Sequence, residues 1–235
     1  MFNPHPRIQS LPITAHHACH VIDDALLEPE ALVDIAVRER ARFAAAPHNA
    51  YPGIELRMPE AFSTRLDDFF RLHLRARLGT RRTLRMYSRL SLVTLPPSAL
   101  EPRQCICHRD RLMTEPGQAA LASVLYLFRD EALGGTSFYV PRRGVRETEE
   151  LLVDSARLPM TEFTRRYGVP QAYLSGSNDW FERVLQVPAR WNRMIFYDGS
   201  MFHSGDITAP ERLSDDPRSG RLSLNGFFTC SRAAV

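Results

Sequence analysis

The spacing of apolar residues changes character at Gly79, and this change restricts the fold more than any other feature of the chain. Upstream, Pro29 opens a helical pattern that runs to about residue 45, with Leu32, Ile35, Ala36 and Phe43 on a stripe that Glu39 interrupts. Pro59 opens a second helix, with Phe62, Leu66, Phe69, Phe70 and Leu74 on one face and Gly79 as its stop. Residues 46–58 read as loop, residues 1–17 as irregular around Pro4, Pro6 and Pro12, and residues 20–22 as a short strand. Downstream of Gly79 the pattern turns strand-like, at 84–95, 122–128, 136–140, 193–197, 201–203 and 222–229, with 105–110 a short extended piece and Gly134-Gly135 a turn. Between them, residues 141–190 are charged and mostly helical in pattern, most clearly at 160–167 and 179–187. Helices followed by many short strands predict an α+β fold, with a double-sheet jelly-roll core and the N-terminal helices packed on one sheet.

The length of 235 residues predicts a single domain, 1–235, with enough chain to bury a core without staples. Within it, residues 1–80 read as helical support, 81–140 and 191–235 as the jelly-roll core, and 141–190 as an insertion. The charge density of that insertion, with Trp180 inside it and Trp191 at its edge, suits either a lid over a pocket or a solvated helical insert with two anchoring aromatics.

Composition excludes several functions. A net charge of +3 spread along the chain lacks the concentrated basic face of a nucleic-acid binder. No apolar run approaches the roughly 18 residues of a membrane span, and the first residues lack the pattern of a secretory signal. Four cysteines (19, 105, 107 and 230) form no disulfide framework, so a cytoplasmic location is expected. All 30 basic residues are arginine, which removes lysine Schiff-base chemistry and leaves Arg, His or backbone to hold any anion.

The chemistry-bearing residues stand in the strand-like part. Side chains at i and i+2 of an extended segment share a face, so His108 and Asp110 can reach one cation while Arg109 faces away. His203, from another strand, completes a set of two imidazoles and one carboxylate. That set suits Fe(II) with open coordination positions, and zinc remains an alternative. Taken alone, His-x-Asp is also what a surface histidine beside a solvated aspartate looks like. Cys105 and Cys107 read as small buried strand residues, and the cluster of His16, His17, Cys19 and His20 as a weaker rival metal site without a downstream partner. Arg221 and Ser223 share one strand face while Leu222 and Leu224 share the other. A guanidinium and a hydroxyl so placed suit a dicarboxylate, with Arg212 and Arg218 as competing cations. The Tyr126 hydroxyl is either a further donor to that anion or a satisfied core group.

Taken in order, His108-x-Asp110, Leu125-Tyr126-Leu127, Gly134-Gly135-Thr136-x-Phe138-Tyr139, His203 and Arg221-x-Ser223 resemble the 2-oxoglutarate- and Fe(II)-dependent dioxygenases of the prolyl-hydroxylase-like type. A closer resemblance is to an uncharacterised bacterial family within that superfamily, carried by Gln104, the Gly-Gly-Thr-x-Phe-Tyr turn, Asn192-Arg193, residues 203–206 and residues 220–225. It covers about residues 84–230. The resemblance implies a double-stranded β-helix of cupin-like type in which His108, Asp110 and His203 bind iron. It implies 2-oxoglutarate as co-substrate, chelating the metal at one end and meeting Arg221, Ser223 and Tyr126 at the other. It implies hydroxylation of a substrate C–H bond with release of succinate and CO2, on a small molecule, peptide or protein. Two departures stand out: 95 positions separate His108 from His203, and many relatives use lysine where this chain has only arginine. The alternative reading is a metal-binding jelly roll without turnover, a scaffold or sensor. A zinc hydrolase ranks below both, since no His-Glu-x-x-His helix is present.

Overall fold

A computed structural model describes residues 1–45, 50–110 and 115–232 of the chain. Eleven strands and four helices are present among the described residues. The strands are β1 (Ile8–Pro12), β2 (Ala18–Ile22), β3 (Ala44–Ala45), β4 (Gly53–Arg57), β5 (Thr80–Val93), β6 (Gln118–Tyr126), β7 (Thr136–Pro141), β8 (Phe181–Val187), β9 (Met194–Asp198), β10 (Phe202–Gly205) and β11 (Arg221–Arg232). The helices are α1 (Glu30–Arg38), α2 (Glu60–His73), α3 (Val145–Ser155) and α4 (Met160–Tyr167). The strands form an eight-stranded sheet, β1-β2-β9-β6-β11-β5-β4-β3, and a three-stranded sheet, β10-β7-β8, with every pairing antiparallel. The mixture of helices and antiparallel sheet is the one expected. No helix among the described residues is long and apolar enough to cross a membrane.

Strand alternation decides where the core sits. On one face of the large sheet, Leu56, Leu90, Leu92, Leu125, Leu224 and Phe228 meet Leu32, Val33 and Ala36 of α1 and Leu66, Phe69 and Phe70 of α2. Acidic Glu60 in the first turn of α2 and Arg71 and His73 in its last complement the helix dipole. The other face carries Cys19, Val21, Ala122, Tyr126, Ile195 and Tyr197 against Phe138 and Val187 of the small sheet. A third cluster covers the small sheet from outside, where Leu151 of α3 and Phe163 of α4 pack with Tyr139, Phe181, Phe202 and Cys107.

Five readings from the sequence are corrected. The first helix stops at Arg38, because Phe43 reaches the core from extended backbone (φ −68, ψ 132) that a helix cannot supply. Residues 44–45 then pair with β4, a strand inside the segment read as loop; residues 46–49 of that segment lie outside the described residues. The N-terminal segment read as irregular contributes β1, an edge strand, the one place where Pro12 costs no ladder bond. Residues 179–187, read as helical, form β8: Phe181 and Val187 are buried while Glu182, Val184 and Gln186 are exposed, the period of two that pairing with β7 requires. The second helix ends at His73 rather than running on to Gly79, which instead takes a left-handed φ of 63 where the turn enters β5.

Candidate metal centre

His108 and His203 lie opposite each other in an isolated antiparallel bridge. The His108 N–H donates to the His203 carbonyl (3.0 Å) and the His203 N–H to the His108 carbonyl (2.8 Å). Two residues on, the Asp110 N–H donates to the carbonyl of Gly199 at 2.8 Å. These three backbone bonds pin residues 108–110 against β10 and the turn that precedes it. They set His108 and Asp110 on one side of it, while Arg109 leaves on the other to pair with Glu149 of α3 and lie over the Phe202 ring. A side chain at position 199 would place its Cβ 2.9 Å from Asp110 Cβ, so the glycine is what admits the carboxylate.

The result is convergence of three side chains. One ligand atom each from His108, Asp110 and His203 lies within 4.8 Å of the others, and this is the one such cluster of metal-binding residue types among the described residues. His203 Nε2 is 3.6 Å from Asp110 Oδ2, and His108 Nε2 is 4.0 Å from Asp110 Oδ1. Asp110 Oδ2 is buried without a hydrogen-bond partner, an expensive state for a carboxylate unless a cation fills it. The His203 Nδ1 sits 2.8 Å from the Met201 carbonyl, which orients the ring so that Nε2 offers its lone pair to the cluster. Tyr197 packs edge-on against the same ring at 4.7 Å.

Electrostatics favour neutral imidazoles. Burial lowers His203 to about 4. His108 is likewise lowered to about 4, first by its recessed position and then by His203, although water still reaches half of its side chain (48%) from the cleft. Both rings are therefore unprotonated donors at neutral pH. Burial raises Asp110, while His108 and Arg89 oppose the rise. Burial also raises the thiols of Cys105 and Cys107, so thiolate ligation beside the cluster is disfavoured.

The cluster opens into a cleft of about 890 Å³ between the two sheets, large enough for a co-substrate and part of a substrate. Arg221 and Ser223 both line it, on the β11 face predicted by alternation. Arg221 is buried (5% exposed), and no carboxylate pairs with it among the described residues. Its Nε donates to the carbonyls of Leu133 (2.9 Å) and Gly134 (3.1 Å), and Nη2 to that of Gly135 (2.7 Å). The Gly-Gly turn can present these carbonyls because Gly134 has φ 80 and a Cβ there would lie 1.8 Å from the Asp206 carbonyl oxygen. The rival cations lie elsewhere: Arg212 pairs with Asp130 and Arg218 with Asp34, both at the surface.

Tyr126 is placed differently. Fully buried between the sheets, it donates its hydroxyl to Thr136 Oγ1 at 2.8 Å and does not line the cleft. The tyrosines that line the cleft together with Arg221 are Tyr51 and Tyr173, which the sequence reading did not single out. Burial pushes Tyr51 up to about 12 and Arg221 opposes part of that rise; Tyr173 donates to the Leu95 carbonyl at 2.6 Å. Nothing in the local pattern around either tyrosine marks it. The rival histidine cluster is dispersed: Cys19 is wholly buried, His20 bonds Ser10, and His17 bonds Thr14.

Residues 4–228 match the family described as "Family of unknown function (DUF6445)". No curated protein matches the chain. Among solved structures, the chain is similar to the non-heme alpha ketoglutarate dependent carbocyclase SnoK from nogalamycin biosynthesis, at 18% identity and a TM-score of 0.53 over 94% of this chain and 84% of that one. It is similar to a Pseudomonas putida prolyl-4-hydroxylase at 16% identity and TM-score 0.48 (94% and 95% covered), and to HygX from Streptomyces hygroscopicus with nickel and 2-oxoglutarate bound, at 13% and 0.48 (92% and 83% covered). At these identities the likeness to the carbocyclase is one of fold.

Proposed function

The chain belongs to the DUF6445 family, and for this member we propose an Fe(II)- and 2-oxoglutarate-dependent dioxygenase built on a double-stranded β-helix of jelly-roll type. The reaction proposed is hydroxylation of a C–H bond in a small molecule or peptide. One observation carries the reading: His108, Asp110 and His203 converge at the floor of a cleft with Asp110 Oδ2 buried and unpartnered.

The donor set fits the metal. Two neutral imidazoles and one carboxylate neutralise part of a divalent charge and leave coordination positions for other ligands. Zinc would accept the same donors, so the cleft beyond the cluster supports the assignment. When bound, Fe(II) with 2-oxoglutarate supplies an oxidant by coupling loss of CO2 from the co-substrate to reduction of dioxygen. His108, Asp110 and His203 would hold the ion. The Met201 carbonyl fixes the His203 ring, and Tyr197 braces it from the side. Arg221 would take the distal carboxylate of 2-oxoglutarate: among the described residues this buried cation meets backbone carbonyls and the Phe128 ring but no carboxylate, which leaves a charge for an anion to answer. Ser223, whose Oγ accepts from Asn225, would add a hydroxyl at the same end. In this reading residues 1–80 support the sheets, and residues 141–190 are an insertion whose Leu152, Ser155 and Tyr173 wall the cleft.

A second reading, a metal-binding jelly roll without turnover, draws on the same arginine, since three backbone carbonyls already occupy it. Succinate formation separates the two. The oxygenase reading expects Fe(II)-dependent conversion of 2-oxoglutarate to succinate, abolished by Asp110→Ala. Iron binding without succinate across a broad substrate panel would favour the second.

A further inference from the structure

The cleft holds a second cationic position that the proposed co-substrate does not use. Strand register separates the two. Arg221 of β11 lies opposite Val93, whereas Arg89 of β5 lies opposite Asn225, four residues along the same ladder and thus about 13 Å away. Opposite Arg89 on its other side is Arg57 of β4. Like charges placed directly across a strand pair repel. Glu55 offsets them in part, through its Oε2 2.8 Å from Arg89 Nη1. Among the described residues, these two guanidiniums and one carboxylate carry a net charge of about +1. Arg89 Nε is buried with no hydrogen-bond partner among the described residues.

The neighbouring row of the same sheet face runs from this corner toward the metal ligands. Tyr87 lies opposite Phe227, Phe227 opposite Ala122, and Ala122 opposite Tyr197, the residue that braces His203. Tyr87 and Phe227 stack at 4.9 Å with their planes 20° apart, Arg89 lies 4.6 Å over Phe227, and Arg57 lies 4.8 Å over Tyr87. The guanidiniums are thus held against aromatic faces, which orients their donors while the rings remain a flat apolar floor.

We propose that the organic substrate carries a carboxylate, which Arg89 and Arg57 bind, while its apolar or aromatic body lies on Tyr87 and Phe227 with the carbon to be oxidised toward His108, Asp110 and His203. The residual single charge selects a carboxylate over a phosphate monoester dianion, for which Glu55 is a repulsive neighbour. The assignment rests on the oxygenase reading for the identity of the metal end.

The test uses the full chain loaded with Ni(II), which does not turn over, and saturating 2-oxoglutarate. Phenylacetate, cinnamate, their amides and phenyl phosphate are titrated by calorimetry. At least one carboxylate should bind about tenfold tighter than its amide and tighter than phenyl phosphate. Arg89→Gln should shrink that preference below about threefold, Arg89→Lys should keep more of it, and 2-oxoglutarate affinity should change less than about threefold in both. Arg57→Gln, at an exposed position, should lower the preference even if the Arg89 variants fail to fold. The proposal is overturned if no carboxylate outbinds its amide, if the preference survives Arg89→Gln and Arg57→Gln, if phenyl phosphate binds tightest, or if Arg89→Gln weakens 2-oxoglutarate instead. Failure of 2-oxoglutarate to bind the wild-type Ni(II) protein is a separate result, which sinks the oxygenase reading itself.

Discussion

The two faces of the eight-stranded sheet are made by the same strands and do opposite work. Along β11, Leu222, Leu224 and Phe228 point to the helices, while Arg221, Ser223, Asn225 and Phe227 point to the cleft. Along β5, Leu90 and Leu92 alternate in the same way with Arg89 and Ser91. The helix side is mostly apolar, with its buried Ser63 and Ser88 hydroxyls bonded to each other, and its residues contribute chiefly by burial. The cleft side holds charged and hydroxyl groups whose placement costs stability unless partners or ligands answer them. Because neighbouring residues serve different faces, a sequence shift of one position would exchange core for site, so the helices that fix the register also protect the chemistry.

The largest expected effect lies on the helix side. Phe70 packs against Phe228 at 4.4 Å with the rings tilted by 31°, and lies 6.1 Å from Phe196, with no exposed surface. Phe70→Ala should cost about 3–5 kcal/mol in denaturant unfolding. Metal and 2-oxoglutarate affinity of the folded fraction should be unchanged. Weakened affinity at a temperature where the variant is fully folded would break the division between faces.

Arg221 sharpens the comparison because it serves both purposes. Arg221→Ala removes the donors from three buried carbonyls and should lower stability by about 1–3 kcal/mol. It should also raise the 2-oxoglutarate requirement sharply while leaving metal binding nearly intact. An unchanged requirement would make the arginine a brace for the Gly134-Gly135 turn and nothing more.

This division explains what could be read from the sequence. α4 coincides with its predicted span, and β6, β9 and β11 fall where their apolar runs stand, because a long periodic pattern reports a buried face directly. β8 was hidden by Glu182 and Arg183, whose charges are tolerated because that strand is paired on one side only. β1, β3 and β4 are short strands toward the sheet ends, with too few residues to show a period; β1 and β3 pair with the strands next to them in the chain, β2 and β4, and β4 also pairs with the more distant β5. At the site, the i, i+2 rule brought His108 and Asp110 together, and alternation put Arg221 and Ser223 on one face. Alternation along β5 also puts Arg89 on the cleft face, whereas Tyr51 and Tyr173 enter the cleft through tertiary packing, which no local pattern encodes.

A subtler effect is expected from Gly199→Ala. The added Cβ would meet Asp110 Cβ at 2.9 Å, its Oδ2 at 3.0 Å and the Ala120 carbonyl oxygen at 3.3 Å, so the Asp110 side chain as a whole would have to shift from the cluster. Metal affinity should fall about tenfold, as for other disturbances just outside a metal's ligands. The unfolding midpoint of the metal-free protein should shift little. A large loss of stability with unchanged affinity would show that the backbone gives way before the carboxylate does.

Tyr126→Phe should have the smallest effect and is the most pointed test of where the faces divide. Tyr126 lies on the cleft face of β6 by alternation, yet its hydroxyl is spent on Thr136 at 2.8 Å inside the apolar layer between the sheets. Loss of that bond should cost about 1 kcal/mol, with the Thr136 hydroxyl left to find another partner. 2-Oxoglutarate affinity should be untouched, since Tyr51 and Tyr173, and not Tyr126, line the cleft with Arg221. A drop in co-substrate affinity larger than the drop in stability would mean that Tyr126 turns toward the ligand when the cleft fills. The anion pocket would then extend one strand deeper than the present geometry shows.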